Sequence, residues 1–301
     1  MTGFLASPLP ALDDAEGACV PHGLPPVVDA HVHLFPDRVF AAIYRWFDRH
    51  GWPVRYQLTA PEVIAFLRDR GVTRIVGLSY AHRPGMARAL NEYMAALARD
   101  HAGVTGLATV MPGEPDALAI VRDAFALGLR GLKIHCHVQA IAPDAPELAP
   151  IYALCAERGF PVVIHAGREP KSPALPCDPA AICSVDRIAR VLADHPTLAL
   201  CIPHLGCADY RAYAALVERH DHLWIDTAMI LAGYLPDDGS ATEVIRALVA
   251  SRPDRVIYGT DFPILPYAWD RELRWIADAQ LPADALAALL GGNAARLYGW
   301  T

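Results

Sequence analysis

The sequence predicts a single (β/α)8 barrel, and two observations carry that prediction. Short Val/Ile/Leu-rich runs alternate along the chain with amphipathic helical stretches, as parallel strands covered on both faces require. The strand-then-helix units are eight in number and fill about 250 residues, the size of such a barrel. An open doubly wound sheet would favour a glycine-rich first turn, whereas the first turn here is rich in histidine.

The strands are expected at 27–34, 73–80, 104–110, 129–135, 161–167, 197–205, 223–229 and 255–262. Helices are expected at 61–70, 87–100, 116–127, 145–158, 185–194, 210–219, 242–251 and 271–279. Gly71, Gly128 and Gly159 stand where a helix C-terminus favours a left-handed residue, and Pro61 and Pro115 stand near helix starts. Residues 1–26 read as an N-terminal arm, mobile at its start and without the basic beginning of a signal peptide. Residues 27–301 read as the barrel. Three long loops follow strand ends, at 35–60, 168–183 and 230–241. The first carries Trp46 and Trp52, which with Tyr80 could form an apolar lid.

Composition narrows the function. Of 301 residues 53% are apolar and 20% charged, and the net charge is −7, without basic clusters. That balance argues against nucleic acid or an anionic membrane as partner and leaves a small-molecule substrate. No run is long enough to span a bilayer. Seven cysteines without a C-x-x-C spacing suit reduced thiols in a cytosol, with Cys177 and Cys183 expected in an accessible loop. A homodimer would be unsurprising for a barrel.

The chemistry is written at the strand ends. His31 and His33 close the first strand, and alternation puts both imidazoles on one face. His165, His204 and Asp261 close three later strands, so all five open onto one mouth. Imidazole and carboxylate without thiolate suit Zn2+, with Mn2+ or Fe2+ as alternatives. In the run 131–137, Lys133, His135 and His137 are expected to share a face. His135, Lys133 and Trp46 are candidate substrate contacts. Arg168 and Lys171 follow the fifth strand and Arg83 the second; Arg168 and Arg83 are candidate carboxylate binders, while Lys171 reads as a solvated charge. Asp226 is expected to bond a histidine ring from behind, and Asp29, Asn293 and Arg296 to stabilise the fold.

These motifs resemble the amidohydrolase superfamily, in its amidohydrolase-related branch. The resemblance runs over 27–300 through Asp29-Ala-His31-Val-His33, Pro161-Val-Val-Ile-His165-Ala-Gly, Pro203-His204-Leu-Gly206, Tyr258-Gly-Thr-Asp261-Phe-Pro263 and the closing run 291–299. It implies that His31, His33, His165 and Asp261 hold one divalent metal, and that His204 orients or protonates the substrate. A second metal bridged through Lys133 is the lesser alternative. The expected activity is hydrolysis of an amide, ester or lactone in a small carboxylated substrate, with Asp261 and His204 catalytic. Non-oxidative decarboxylation of an unsaturated or aromatic acid is the alternative, and a non-catalytic metal-binding barrel the third reading.

Overall fold

The computed structural model describes residues 9–169, 172–233 and 240–300. Strands β1 (Val27–His33), β2 (Val72–Leu78) and β3 (Val104–Gly106) pair in parallel. Strands β4 (Ala108–Thr109), β5 (Leu132–His135), β6 (Val162–His165), β7 (Leu200–Ile202), β8 (Leu223–Asp226) and β9 (Val256–Ile257) continue in parallel order. β3 and β4 are two halves of one barrel strand interrupted at Leu107, whose amide bonds Gly77 O at 3.0 Å. Ala30 N to Tyr258 O (3.1 Å), Asp261 N to His31 O (2.9 Å) and His33 N to Phe262 O (2.8 Å) join the last strand to the first. The chain is a (β/α)8 barrel, as its residue pattern predicts.

The main apolar core lies between the strands and the helices around them. A second cluster gathers Val28, Ala30, Val76, Leu78, Leu107, Val163, Cys201 and Ile257 with Ala294, Leu297 and Tyr298 of the last helix. Residues supplied from around a ring of strands can meet only inside it, so this cluster plugs the barrel below the site.

The expected helices form, with ends shifted by a few residues, and three local differences bear on the site. The loop read at 35–60 contains helix α1 (Asp37–His50), which buries Phe40 and Tyr44. The strand read through 137 ends at His135, where the chain turns into a short helix, Cys136–Gln139. His137 is therefore placed by a helical turn and not by strand alternation. The described part of the N-terminal arm lies on the barrel and is tied there by Ala11 N to Pro266 O, Val20 N to Arg70 O and the Asp14–Arg271 ion pair. Residues 1–8, Lys171 and part of the 230–241 loop are outside the described residues. Cys183, expected to be accessible, is buried.

Candidate metal centre

His31, His33 and Asp261 meet at the barrel mouth. Asp261 Oδ1 lies 2.9 Å from His33 Nε2 and 3.1 Å from His31 Nε2. Asp226 accepts at 2.7 Å from His31 Nδ1, which as the partner of a carboxylate must carry the proton. In the neutral ring Nε2 then holds a lone pair, and it faces a carboxylate oxygen. Two acceptors at that separation repel unless a cation stands between them or the ring is charged. His204 repeats the arrangement: its Nδ1 donates to Ala228 O at 2.9 Å, leaving the lone pair on Nε2. Donor atoms of His31, His204 and Asp261 all fall within 4.8 Å of one another. These residues fit a divalent cation.

The backbone is bent to build this centre. His204 (φ 56°), Leu205 (φ 50°), Met229 (φ 65°) and Asp261 (φ 74°) adopt the left-handed region without being glycine. Such residues are uncommon and are held only where their surroundings overdetermine them. Asp226 supplies part of that determination, accepting from His204 N at 2.9 Å and Ala228 N at 3.2 Å. Asp29 supplies another part through His31 N, Thr260 N and the Thr260 hydroxyl.

Electrostatics follow burial and pairing. Burial would raise Asp261, but His33 and His31 outweigh it and hold the carboxyl well below its usual range. Burial lowers His33 to about 4 despite Asp261, and it lowers His204 as well. For His31 burial is outweighed by Asp226, and the ring is raised. Asp29, sealed from water, is raised to about 7.

A second group stands beside the first. His165 Nε2 lies 2.9 Å from Glu169 Oε1, to which Cys207 Sγ also donates at 3.2 Å. His137 Nε2 bonds Gly167 O at 2.8 Å, and its Nδ1 is 3.5 Å from Glu169 Oε2. Burial opposes charge on His137, yet hydrogen bonds with Cys183 and Glu169 push it up to about 10. Burial lowers His165 to about 3 against the pull of Glu169. His135 stacks on His165 with ring centroids 4.1 Å apart.

Both groups open into a cavity of about 510 Å3. Its outer wall is one face of α1: Val39, Ile43, Trp46, Phe47 and His50 line it at helical spacing. His33, Tyr80, Lys133, His135, His165, His204 and Asp261 line the deeper part. Lys133 Nζ is fully buried with no hydrogen-bond partner among the described residues, and burial lowers its pKa.

Thus the structure brings His33, His165, His204, Asp261, Lys133, His135 and Trp46 to one cavity, with His31 buried directly behind Asp261. It does not bring Arg168 or Arg83 there. Arg83 is exposed on the loop after β2. Arg168 Nε donates to both Asp209 oxygens at 2.8 Å, which turns the guanidinium away from the mouth. Sequence reading gave Glu169 no role beyond an ion pair with a neighbouring loop cation such as Arg168, and gave His137 and Cys207 none. The four-residue spacing from His165 to Glu169 was the signal available for the first.

A family model described as amidohydrolase matches residues 28–300. The chain belongs to the amidohydrolase family. No curated protein sequence matches it. Among solved structures, an uncharacterised TIM-barrel protein from Bordetella bronchiseptica is similar at 22% identity and TM-score 0.70, over 91% of this chain and 99% of that one. A 5-carboxyvanillate decarboxylase from Sphingomonas paucimobilis is similar at 18% identity and TM-score 0.66, over 92% and 99%. A 5-carboxyvanillate decarboxylase from Novosphingobium aromaticivorans, complexed with manganese and 4-hydroxy-3-methoxy-5-nitrobenzoic acid, gives 16% identity and TM-score 0.64, over 96% and 99%. Among the described residues no helix of this amidohydrolase-family protein is long and apolar enough to cross a membrane.

Proposed function

We propose that the protein is a metal-dependent hydrolase that cleaves an ester, amide or lactone in a small substrate with a substantial apolar part. The observation that carries the reading is the convergence of His31, His204 and Asp261 at the floor of an aromatic-walled cavity, with each ring engaged from behind through Nδ1 so that Nε2 faces the centre. His31, His33, His204 and Asp261 would hold the ion, with His165 beside them. A divalent ion bound there would acidify a water molecule, lowering its pKa from 15.7 to about 7, and polarise a carbonyl. Asp261, ionised at neutral pH, accepts the proton from the attacking water and returns it to the leaving group. We assign His204 to the ligand set: with its proton on Nδ1 it has none to offer a developing oxyanion. The apolar face of α1 holds the rest of the substrate, and Trp46 stands on that face. Zn2+ is the ion we favour, and Mn2+ the alternative suggested by the manganese-bound relative.

Decarboxylation is the second reading, and Lys133 favours it. Among the described residues no arginine lines the cavity, so its buried ammonium is the group able to hold a carboxylate beside the centre. The aromatic walls suit a flat aromatic acid, and two similar structures are decarboxylases of such an acid. The test is incubation of metal-loaded protein with aryl esters, anilides, lactones and hydroxybenzoates in 18O-labelled water. Two fragments, one carrying the label, support hydrolysis. Carbon dioxide release without label in the remaining product supports decarboxylation. Neither outcome with any substrate, at full metal occupancy, overturns both.

A further inference from the structure

We propose a binding site for an oligophosphate anion at the N-terminal end of the barrel, formed by Arg74, Arg99 and Arg130 around a cavity of about 500 Å3. The strands run parallel, so the metal centre at their ends and this cavity at their starts lie at opposite ends of the barrel. Arg74 stands near the start of β2, Val104 and Thr105 open β3, and Arg130 precedes β5. Arg99 comes from the last turn of the helix Ala87–Asp100, and Trp300 from the turn after the last helix. Small-molecule sites occupy about 300–1,000 Å3, so the space suits a ligand larger than a single ion.

Charge distinguishes this cavity. The chain carries a net charge of −7 and shows no basic cluster along its sequence, yet the fold gathers three arginines here. Among the described residues that line the cavity none is acidic. Arg74 reaches it from the inward face of β2, in the same row as Val76 and Leu78 of the apolar plug. Its guanidinium lies 5.1 Å from the centroid of the Trp300 ring, which stacks in turn on Tyr298. The Arg130 guanidinium lies 5.8 Å from the centroid of the Phe160 ring. Neither arginine forms an ion pair with a carboxylate of the described residues.

An aromatic ring holds a guanidinium through its face and leaves the N–H donors at its edge unused. Two arginines held in this way have lost part of their freedom before an anion arrives, which lowers the cost of binding it. Arg99 donates through Nε to Asp100 Oδ1 at 3.0 Å. That pair is exposed on both sides and worth little, and the terminal nitrogens of Arg99 stay available to a stronger anion. Phosphate oxygens accept two parallel N–H bonds from one guanidinium. Three such forks around one cavity match two or three linked phosphates better than one. Leu127, 52% exposed, borders the same cavity and offers an apolar wall to a group carrying the phosphates.

The probe is sodium triphosphate, titrated into the full chain by calorimetry. Protein is used both as purified and after dialysis against chelator, because triphosphate also binds free metal ions. The expected result is one equivalent bound per chain in both preparations, at least tenfold tighter than sulfate and weakening as salt is raised. Arg74→Gln and Arg130→Gln should each weaken binding about tenfold or more with unchanged circular dichroism. His31→Ala, at the metal centre, should leave it unchanged. Adenosine triphosphate in a second titration distinguishes the two sources of the anion. Equal affinity means that the phosphates alone are read; tighter binding that falls to the triphosphate value in Leu127→Ser means that the nucleoside rests on the apolar wall. Either result supports the site. Triphosphate that binds no better than sulfate overturns the proposal, and so does binding that survives both arginine substitutions.

Discussion

Replacing Asp226 by asparagine tests the reasoning on which the metal centre stands. The new side chain is isosteric, so its carbonyl oxygen keeps the bonds from His204 N and Ala228 N. What changes is the atom facing His31 Nδ1 across 2.7 Å: an acceptor becomes a donor. His31 then has to accept on Nδ1 and carry its proton on Nε2, the nitrogen that points at Asp261. A protonated nitrogen is no ligand. Loss of such an outer partner weakens metal binding about 10- to 100-fold, or about 1.4–2.8 kcal/mol. Breaking a buried charge pair by simple deletion costs about 3–5 kcal/mol in stability, because one charge is left alone. Here both groups remain hydrogen-bonded, so the affinity loss should exceed the loss of stability. We expect Asp226→Asn to stay folded by circular dichroism and to bind Zn2+ or Mn2+ more weakly in a chelator competition. An affinity within twofold of wild type would show that Asp226 does not set the His31 tautomer, and the argument for the centre would fall with it.

Three further outcomes follow from the same contacts. Gly167→Ala places a methyl group against the Gly206 backbone, which cannot rotate away, and should cost at least about 2 kcal/mol in urea unfolding. An unchanged midpoint would mean that the loops after β6 and β7 do not touch there. Arg168→Ala removes a half-exposed ion pair, worth at most about 1 kcal/mol, and should leave KM for carboxylated substrates unchanged; a large rise in KM would return Arg168 to the mouth. Metal-free protein should lose stability as pH falls below about 6.5. His33 and His165 are held neutral in the fold, at about 4 and about 3, and regain their protons on unfolding at the ordinary value of 6.5. His135 and His204 act in the same sense. The raised rings, His31 and His137, oppose them; the contribution of His137 fades only as pH rises towards about 10. Urea midpoints that stay flat between pH 7 and pH 4 would refute this balance.

Residues whose neighbours are dictated by the barrel were legible in the chain, and residues whose neighbours come from loop crossings were not. His31, His33, His165, His204 and Asp261 could be grouped across 230 positions because each ends a strand, and parallel strands present those ends together. Helix α1 was hidden by its own aromatic residues, which read as a lid loop. Yet Val39, Ile43, Trp46, Phe47 and His50 repeat at helical spacing and could have been counted. Arg168 shows where reading along the chain fails. Three residues past His165, it stands in the sequence where a side chain reaches the mouth, with Glu169 as the bland ion-pair partner. Once the segment is extended against Cys207, neighbours must diverge, so those two side chains cannot serve one another. The arginine finds Asp209, 41 residues away, and the carboxylate falls among histidines and a thiol. The residue that looked like decoration is the one facing the chemistry, and the one that looked like the anion anchor is the clamp that holds it there.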